Sequence, residues 1–359
     1  MKTQREKGDV RARSAGPSWL VVATLVAALS ALAVVSLRQT RQLRTLSTVS
    51  ETRLAGQSWR SDALSREVAR LTRQTAESTS ADEKTNIASQ GEPWCERAVA
   101  AYAGGVCLLQ GAYIFLERQT GKPWLADDEM VQVDFTATGF VADAAGYVLT
   151  NRHVVRPWEV NQTYRDVLTA GYEGQLTELR AYFPDQPAGF DAWVAGESKE
   201  ADVAVLRLEL GRVQVPVLDC GAESAIRPGQ TVVVLGYPTG LQSLVAAVSD
   251  DRLGPGGAPG GCGRLAETLA GKGLIAPTAT RGMCGRVTDG VVVYDAATAL
   301  GASGGPVIGP GGRVVAINTA LLRTFGGTSF GVEIGAAREL LAQVKASQAY
   351  ERAGVAATY

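Results

Sequence analysis

Leu300-Gly301-Ala302-Ser303-Gly304-Gly305-Pro306 is the stretch whose reading decides the fold. Its inner part fits G-x-S-x-G, a pattern that can place a serine on a sharp turn between a strand and a helix of an α/β sheet. The same string is also compatible with a triad of another chain order. Histidine decides between them. The chain has 1 histidine, His153, in Thr150-Asn151-Arg152-His153-Val154-Val155, whereas the strand-to-helix elbow needs its histidine after the serine. None follows Ser303.

A serine hydroxyl is a weak nucleophile at neutral pH and needs a base within hydrogen-bond reach. Imidazole is the side chain whose ordinary pKa suits taking that proton and later returning it. A third group must hold the imidazole in the right tautomer, and Asp202, in Glu200-Ala201-Asp202-Val203-Ala204-Val205-Leu206, is the candidate carboxylate. Asp191 is its rival. The order His153, Asp202, Ser303 is one of the chain orders used by nucleophilic triads.

From Trp94 onward the chain consists of short apolar runs punctuated by glycine. Gly105–Glu117, Val131–Ala142, Gly146–Val155, Leu179–Phe183, Val203–Leu210, Thr231–Gly236, Val291–Tyr294, Arg313–Thr319 and Ser329–Glu333 read as strands. Gly335–Ala346 reads as a terminal helix and Arg264–Ala270 as a weaker one. Many short strands with glycine turns predict an all-β sandwich or barrel, not alternating βαβ units. Between Gly240 and Thr288, a glycine-rich stretch containing Gly254-Pro255-Gly256-Gly257 reads as a long loop beside the site. It lacks the G-K-[ST] of a phosphate cradle.

The segment Gly301 to Pro306 resembles the G-x-S-G-G-P of trypsin-like serine proteases, and Leu149 to Val155 resembles their histidine segment. The finer likeness is to the HtrA/Deg-type bacterial branch. It is carried by Thr138-Gly139-Phe140-Val141, Gly146 to Val155, Asp202 to Leu208, Leu235-Gly236-Tyr237-Pro238-Thr239-Gly240 and Ala316-Ile317-Asn318-Thr319-Ala320, in that order. The resemblance covers about residues 98–347 and implies a protease domain over 98–350, built as two packed six-stranded β-barrels with a C-terminal helix and the site in the cleft between them.

It further implies a serine endopeptidase acting on polypeptides through an acyl-enzyme on Ser303. His153 would be the base and Asp202 its orienting acid, with the backbone N–H groups of Gly301 and Ser303 forming the oxyanion hole. Ala297 falls at the floor of the substrate pocket, with Asn318 and Thr319 on its wall. An uncharged floor disfavours cleavage after lysine or arginine and suits small aliphatic residues. One departure stands out: Ala302 occupies a position where asparagine or aspartate is usual. Many relatives append a PDZ domain, and with 56 residues after Ser303 none is expected here.

The N-terminal part has a different texture. Residues 1–17 form a basic leader, expected to be cytoplasmic. Residues 18–37 are almost wholly apolar and about long enough to cross a bilayer, so they read as a signal anchor. The competing reading is a cleaved signal peptide with Ala31-Leu32-Ala33 at its cleavage site. Residues 38–75, with Leu64, Val68 and Leu71 on one helical face, form an expected stalk that admits a short coiled coil and homo-oligomerisation. Residues 76–97 read as linker and 351–359 as tail. The expected location is the bacterial inner membrane, single-pass, with the large domain on the periplasmic side.

A net charge of −1 gives no pointer to nucleic acid. The 5 cysteines lack C-x-x-C spacing, so neither metal nor other cofactor is expected. In an oxidising compartment Cys95–Cys107 and Cys262–Cys284 would be the natural disulfides. The alternative function is a protease-fold peptide-binding or sensor protein with a latent or inactive site.

Overall fold

Val203-Ala204-Val205-Leu206-Arg207-Leu208 shows why the chain adopts its architecture. Successive strand residues face opposite ways, and here Ala204, Leu206 and Leu208 join one buried cluster while Val203 and Val205 join another. A strand apolar on both faces has to lie between two packed layers. One layer is the inside of a barrel, the other the seam where two barrels meet.

The computed structural model describes residues 93–221, 226–247, 261–319 and 327–356. Helix α1 (Pro93–Tyr102) leads into β1 (Val106–Glu117), a small hairpin of β2 (Leu125–Ala126) and β3 (Glu129–Met130), then β4 (Gln132–Asp143) and β5 (Tyr147–Thr150). Three short helices follow: α2 (Arg152–Val155), α3 (Pro157–Val160) and α4 (Arg165–Thr169). Strands β6 (Tyr172–Tyr182), β7 (Phe190–Ser198) and β8 (Val203–Leu208) complete the first barrel, closed in the order β1-β4-β5-β8-β7-β6.

The second barrel opens with β9 (Thr231–Gly236), after which α5 (Leu241–Ala246) and α6 (Gly261–Gly271) leave the sheet. It resumes with β10 (Thr278–Thr288), β11 (Val291–Tyr294), β12 (Pro306–Ile308), β13 (Val314–Thr319) and β14 (Ser329–Glu333), and α7 (Ile334–Ala356) ends the described chain. Closure runs β10-β11-β14-β13-β12-β9. Two closed six-stranded barrels with a C-terminal helix are the fold class expected above. Cys107, Leu109, Val148, Leu179 and Leu206 fill the first barrel, and Val232, Val234, Val292, Val307 and Val315 the second. The alternate residues Val106, Leu108, Phe140, Val205, Val233, Leu235 and Ile317 form the seam together with helical residues such as Ala98, Leu269 and Ala337.

Several boundaries differ from the expected ones. The strand expected over Gly146–Val155 stops at Thr150, because the Asn151 amide turns to donate to the Asp202 carbonyl at 3.1 Å and Arg152–Val155 coils into α2. Strand β7 has no buried residue and β10 only Cys284, so they lack the buried apolar alternation that identifies a strand. Strand β12 is 3 residues long and begins at a proline. The stretch between Gly240 and Thr288 is not one loop, since it carries α5, α6 and β10. Helix α7 runs on through most of the expected tail, and α1 begins within the expected linker and crosses its expected end at residue 97. The leader, anchor and stalk, and Gly254 to Gly257, lie outside the described residues. Among the described residues no helix is long and apolar enough to cross a membrane.

The expected disulfides are not formed, and all 5 cysteines are free. Strand alternation explains this. Cys107 points into the first barrel while Cys95 packs on the seam, and Cys284 lies in the second barrel while Cys262 packs on the seam. Each expected pair is thus divided between two separate clusters. Burial pushes the Cys107 and Cys220 thiols up to about 12, which suppresses the reactive thiolate. Unfolding without reductant is therefore expected to expose 5 alkylatable thiols by intact mass. In the folded protein at pH 8, Cys107 and Cys220 should alkylate at least ~100-fold more slowly than in urea; fewer than full alkylation on unfolding would contradict the free-thiol assignment.

Candidate active site

His153 sits in α2, immediately after β5. Its Nδ1 lies 2.8 Å from Asp202 Oδ2, and its backbone N–H donates to Asp202 Oδ1 at 2.9 Å. A carboxylate can only accept, so Nδ1 carries the proton and the Nε2 lone pair is left to act as a base. Asp202 is fixed in turn: its carbonyl accepts from Arg152 N at 3.1 Å and from Asn151 Nδ2 at 3.1 Å. It adopts φ 51°, a left-handed conformation that aspartate tolerates better than most residues. Next to His153, Arg152 pairs with Glu159, and that hydrogen-bonded guanidinium holds the Glu159 carboxyl below its usual range. The rival acid Asp191 instead pairs with Arg180 at 3.2 Å on β7.

Ser303 is 5% exposed, on the loop between β11 and β12. The loop is tied to the first barrel through Thr138 of β4. Thr138 N–H donates to the Ser303 carbonyl at 2.9 Å, and its hydroxyl donates to the Gly301 carbonyl at 2.7 Å while accepting from Tyr237 N–H at 3.0 Å. The Thr138 carbonyl takes the Thr150 hydroxyl at 2.8 Å. This short chain of bonds connects the Ser303 backbone to the end of β5, three residues before His153. Only glycine fits at two points: Gly304 has φ 89°, and a Cβ there would lie 2.0 Å from the Thr138 carbonyl oxygen, while Gly301 has φ 93° with the Tyr237 oxygen 2.5 Å from such a Cβ.

Thr319 lies beside this pair, its hydroxyl 3.5 Å from Asp202 Oδ2, at the long limit of a hydrogen bond. Asn318 does not line a pocket. It is wholly buried, its Nδ2 donating to the Ala302 carbonyl at 2.8 Å and to Thr298 Oγ1 at 3.0 Å, its Oδ1 accepting from Tyr294 at 2.6 Å. Ala297 is exposed, and its carbonyl accepts from Thr280 at 2.8 Å. A cleft of 520 Å³ opens just past His153 at Val155, Arg156 and Trp158, and none of His153, Asp202 or Ser303 lines it. Sequence reasoning missed Thr138, Thr150 and Tyr294 as supports of the site. Their signal was polarity within otherwise buried strands, since a buried hydroxyl must find a partner.

Residues 137–317, just over half the chain, match the family model of a trypsin-like peptidase domain. The chain belongs to that family. Its relatives are of the HtrA type. The chloroplastic protease Do-like 1 of Arabidopsis thaliana is 29% identical over 194 residues, covering 54% of this chain and 35% of the relative. A probable periplasmic DegP-like serine endoprotease of Hahella chejuensis is 28% identical over 223 residues, covering 60% and 37%. The chain thus spans little more than a third of the length of these curated relatives. A serine endoprotease structure from Yersinia pestis aligns over 69% of this chain and 65% of that one, with 18% identity and a TM-score of 0.44.

Within this trypsin-like domain, Gly304 is where backbone and site depend on each other most closely. Gly304→Ala is expected to destabilise the fold by at least ~3 kcal/mol, because the new methyl meets backbone in a left-handed conformation. A denaturant titration with a midpoint within error of wild type would contradict the packing described.

Proposed function

We propose that the protein is a membrane-anchored, exported serine endopeptidase in which Ser303 attacks the peptide carbonyl, His153 relays the proton and Asp202 orients and stabilises the imidazolium. The observation that carries this reading is the 2.8 Å contact of His153 Nδ1 with Asp202, in a chain with no second histidine to serve as base. Ser303 Oγ would lose its proton to Nε2 as it adds to the carbonyl carbon, and the same proton would pass to the leaving amine. Water then repeats the sequence on the acyl-enzyme. The Gly301 N–H donates to none of the described residues, which suits a role in binding the oxyanion together with the Ser303 N–H. Exposed, uncharged Ala297 supports a preference for small aliphatic residues before the scissile bond.

A fluorophosphonate probe should label wild-type protein at Ser303. Ser303→Ala and His153→Ala should each lose labelling and on the order of 10⁶ in kcat, and Asp202→Asn about 10⁴. Peptides with Ala or Val before the cleaved bond should turn over faster than those with Arg. A folded wild-type protein that takes no label even with added peptide would favour the peptide-binding alternative instead.

The apolar run of residues 18–37 supports an anchor in the bacterial inner membrane, and the periplasmic assignment given to the Hahella chejuensis relative supports export. In cells the full-length chain should pellet with membranes, resist carbonate extraction and be degraded by protease added to spheroplasts. Release by carbonate, or protection from that protease, would overturn this part of the proposal.

A further inference from the structure

The two N–H groups proposed for the oxyanion hole belong to peptide units whose other ends are both held. A trans peptide is planar, with its C=O and N–H pointing in opposite directions, so a bond on the carbonyl aims the N–H. Gly301 N–H shares its unit with the Leu300 carbonyl, which accepts from Thr239 N–H at 2.5 Å. Ser303 N–H shares its unit with the Ala302 carbonyl, which accepts from Gly305 N–H at 3.1 Å and from Asn318 Nδ2 at 2.8 Å.

Asn318 grips this loop at four places. Besides the Ala302 carbonyl, its Nδ2 holds Thr298 Oγ1 at 3.0 Å. Its backbone N–H donates to the Gly305 carbonyl at 2.8 Å, and its own carbonyl accepts from Gly304 N–H at 2.9 Å. The amide has one workable orientation. A flipped amide would set its oxygen against the Ala302 carbonyl, which can only accept. The Tyr294 hydroxyl, donating to Oδ1 at 2.6 Å and 3.1 Å from the Phe330 carbonyl, reinforces that orientation. Burial pushes the Tyr294 hydroxyl well up from its ordinary value, so it keeps the proton it donates.

Ala302 gives this arrangement its meaning. A methyl group cannot anchor the loop from within, so the anchoring falls to the neighbouring strand. We infer that Asn318, oriented by Tyr294, is a positioning residue that aims the Ser303 N–H at the oxyanion by holding the Ala302 carbonyl. This rests on the endopeptidase reading above, and it replaces the pocket-wall role expected for Asn318.

The test pairs Asn318→Leu, which keeps the volume and loses the donor, with Tyr294→Phe, which removes one oxygen. Full-length protein is compared by fluorophosphonate labelling rate, by the separation of kcat from KM on a peptide substrate, and by hydrogen exchange over residues 298–305. Asn318→Leu should label and turn over ~100-fold more slowly, the scale of losing one oxyanion donor, with KM within about threefold because ground-state binding is untouched. Tyr294→Phe should lose about tenfold, and it carries the test should the leucine variant fail to fold. In both, exchange over residues 298–305 should quicken while β1 and β6 are unaffected. Labelling and kcat within threefold of wild type, or a loss confined to KM, would overturn the inference. Should wild-type protein neither label nor turn over, the endopeptidase reading falls on its own, and the exchange measurement still decides whether Asn318 holds the loop.

Discussion

Thr138 ties the two barrels together beside the loop that carries Ser303. Its backbone N–H and hydroxyl donate to the carbonyls of Ser303 and Gly301, and its carbonyl takes the hydroxyl of Thr150. Thr138, Thr150 and Ser303 are shut away from water, where an unpaired donor or acceptor would cost about 1–3 kcal/mol. The penalty for breaking any one bond therefore keeps the set intact. The loop that carries Ser303 in one barrel is thereby tied to the strand of the other that leads to His153.

That tie also depends on the apolar seam. Strands such as β8 and β9 bury both faces, one inside a barrel and one between barrels, so the barrels cannot slide without exposing a row of valines and leucines. The close approach of Gly304 to Thr138 requires this fixed spacing, and glycine alone permits it. Packing sets the distance and hydrogen bonds set the direction.

Much of this was legible in the sequence because it rests on local rules. The doubly apolar run Val203–Leu208, the solitary His153 and the glycines around Ser303 each carry their meaning in a few residues. Strands β7 and β10 were not legible, since neither has a buried face to give the alternation that marks a strand. The free cysteines were not legible either, because their separation depends on which face of which strand each one occupies. Asn318 was misread for a related reason. Its position in the chain fits a pocket wall, but the direction of its amide is set by Tyr294 and the Ala302 carbonyl, both brought to it by tertiary structure. Residues 1–92 contribute an expectation of anchoring that rests on composition alone.

The account turns on Ser303 and His153 acting on one substrate carbonyl. A peptidyl chloromethyl ketone with alanine at its reactive end measures this directly. Addition of Ser303 Oγ to the ketone would place the chloromethyl carbon before His153 Nε2, which displaces chloride to form a stable alkyl bond. Peptide mapping should find one adduct, on His153, in wild-type protein and none in Ser303→Ala. A folded wild-type protein that remains unmodified at His153, or a Ser303→Ala variant modified there at the same rate, would contradict it.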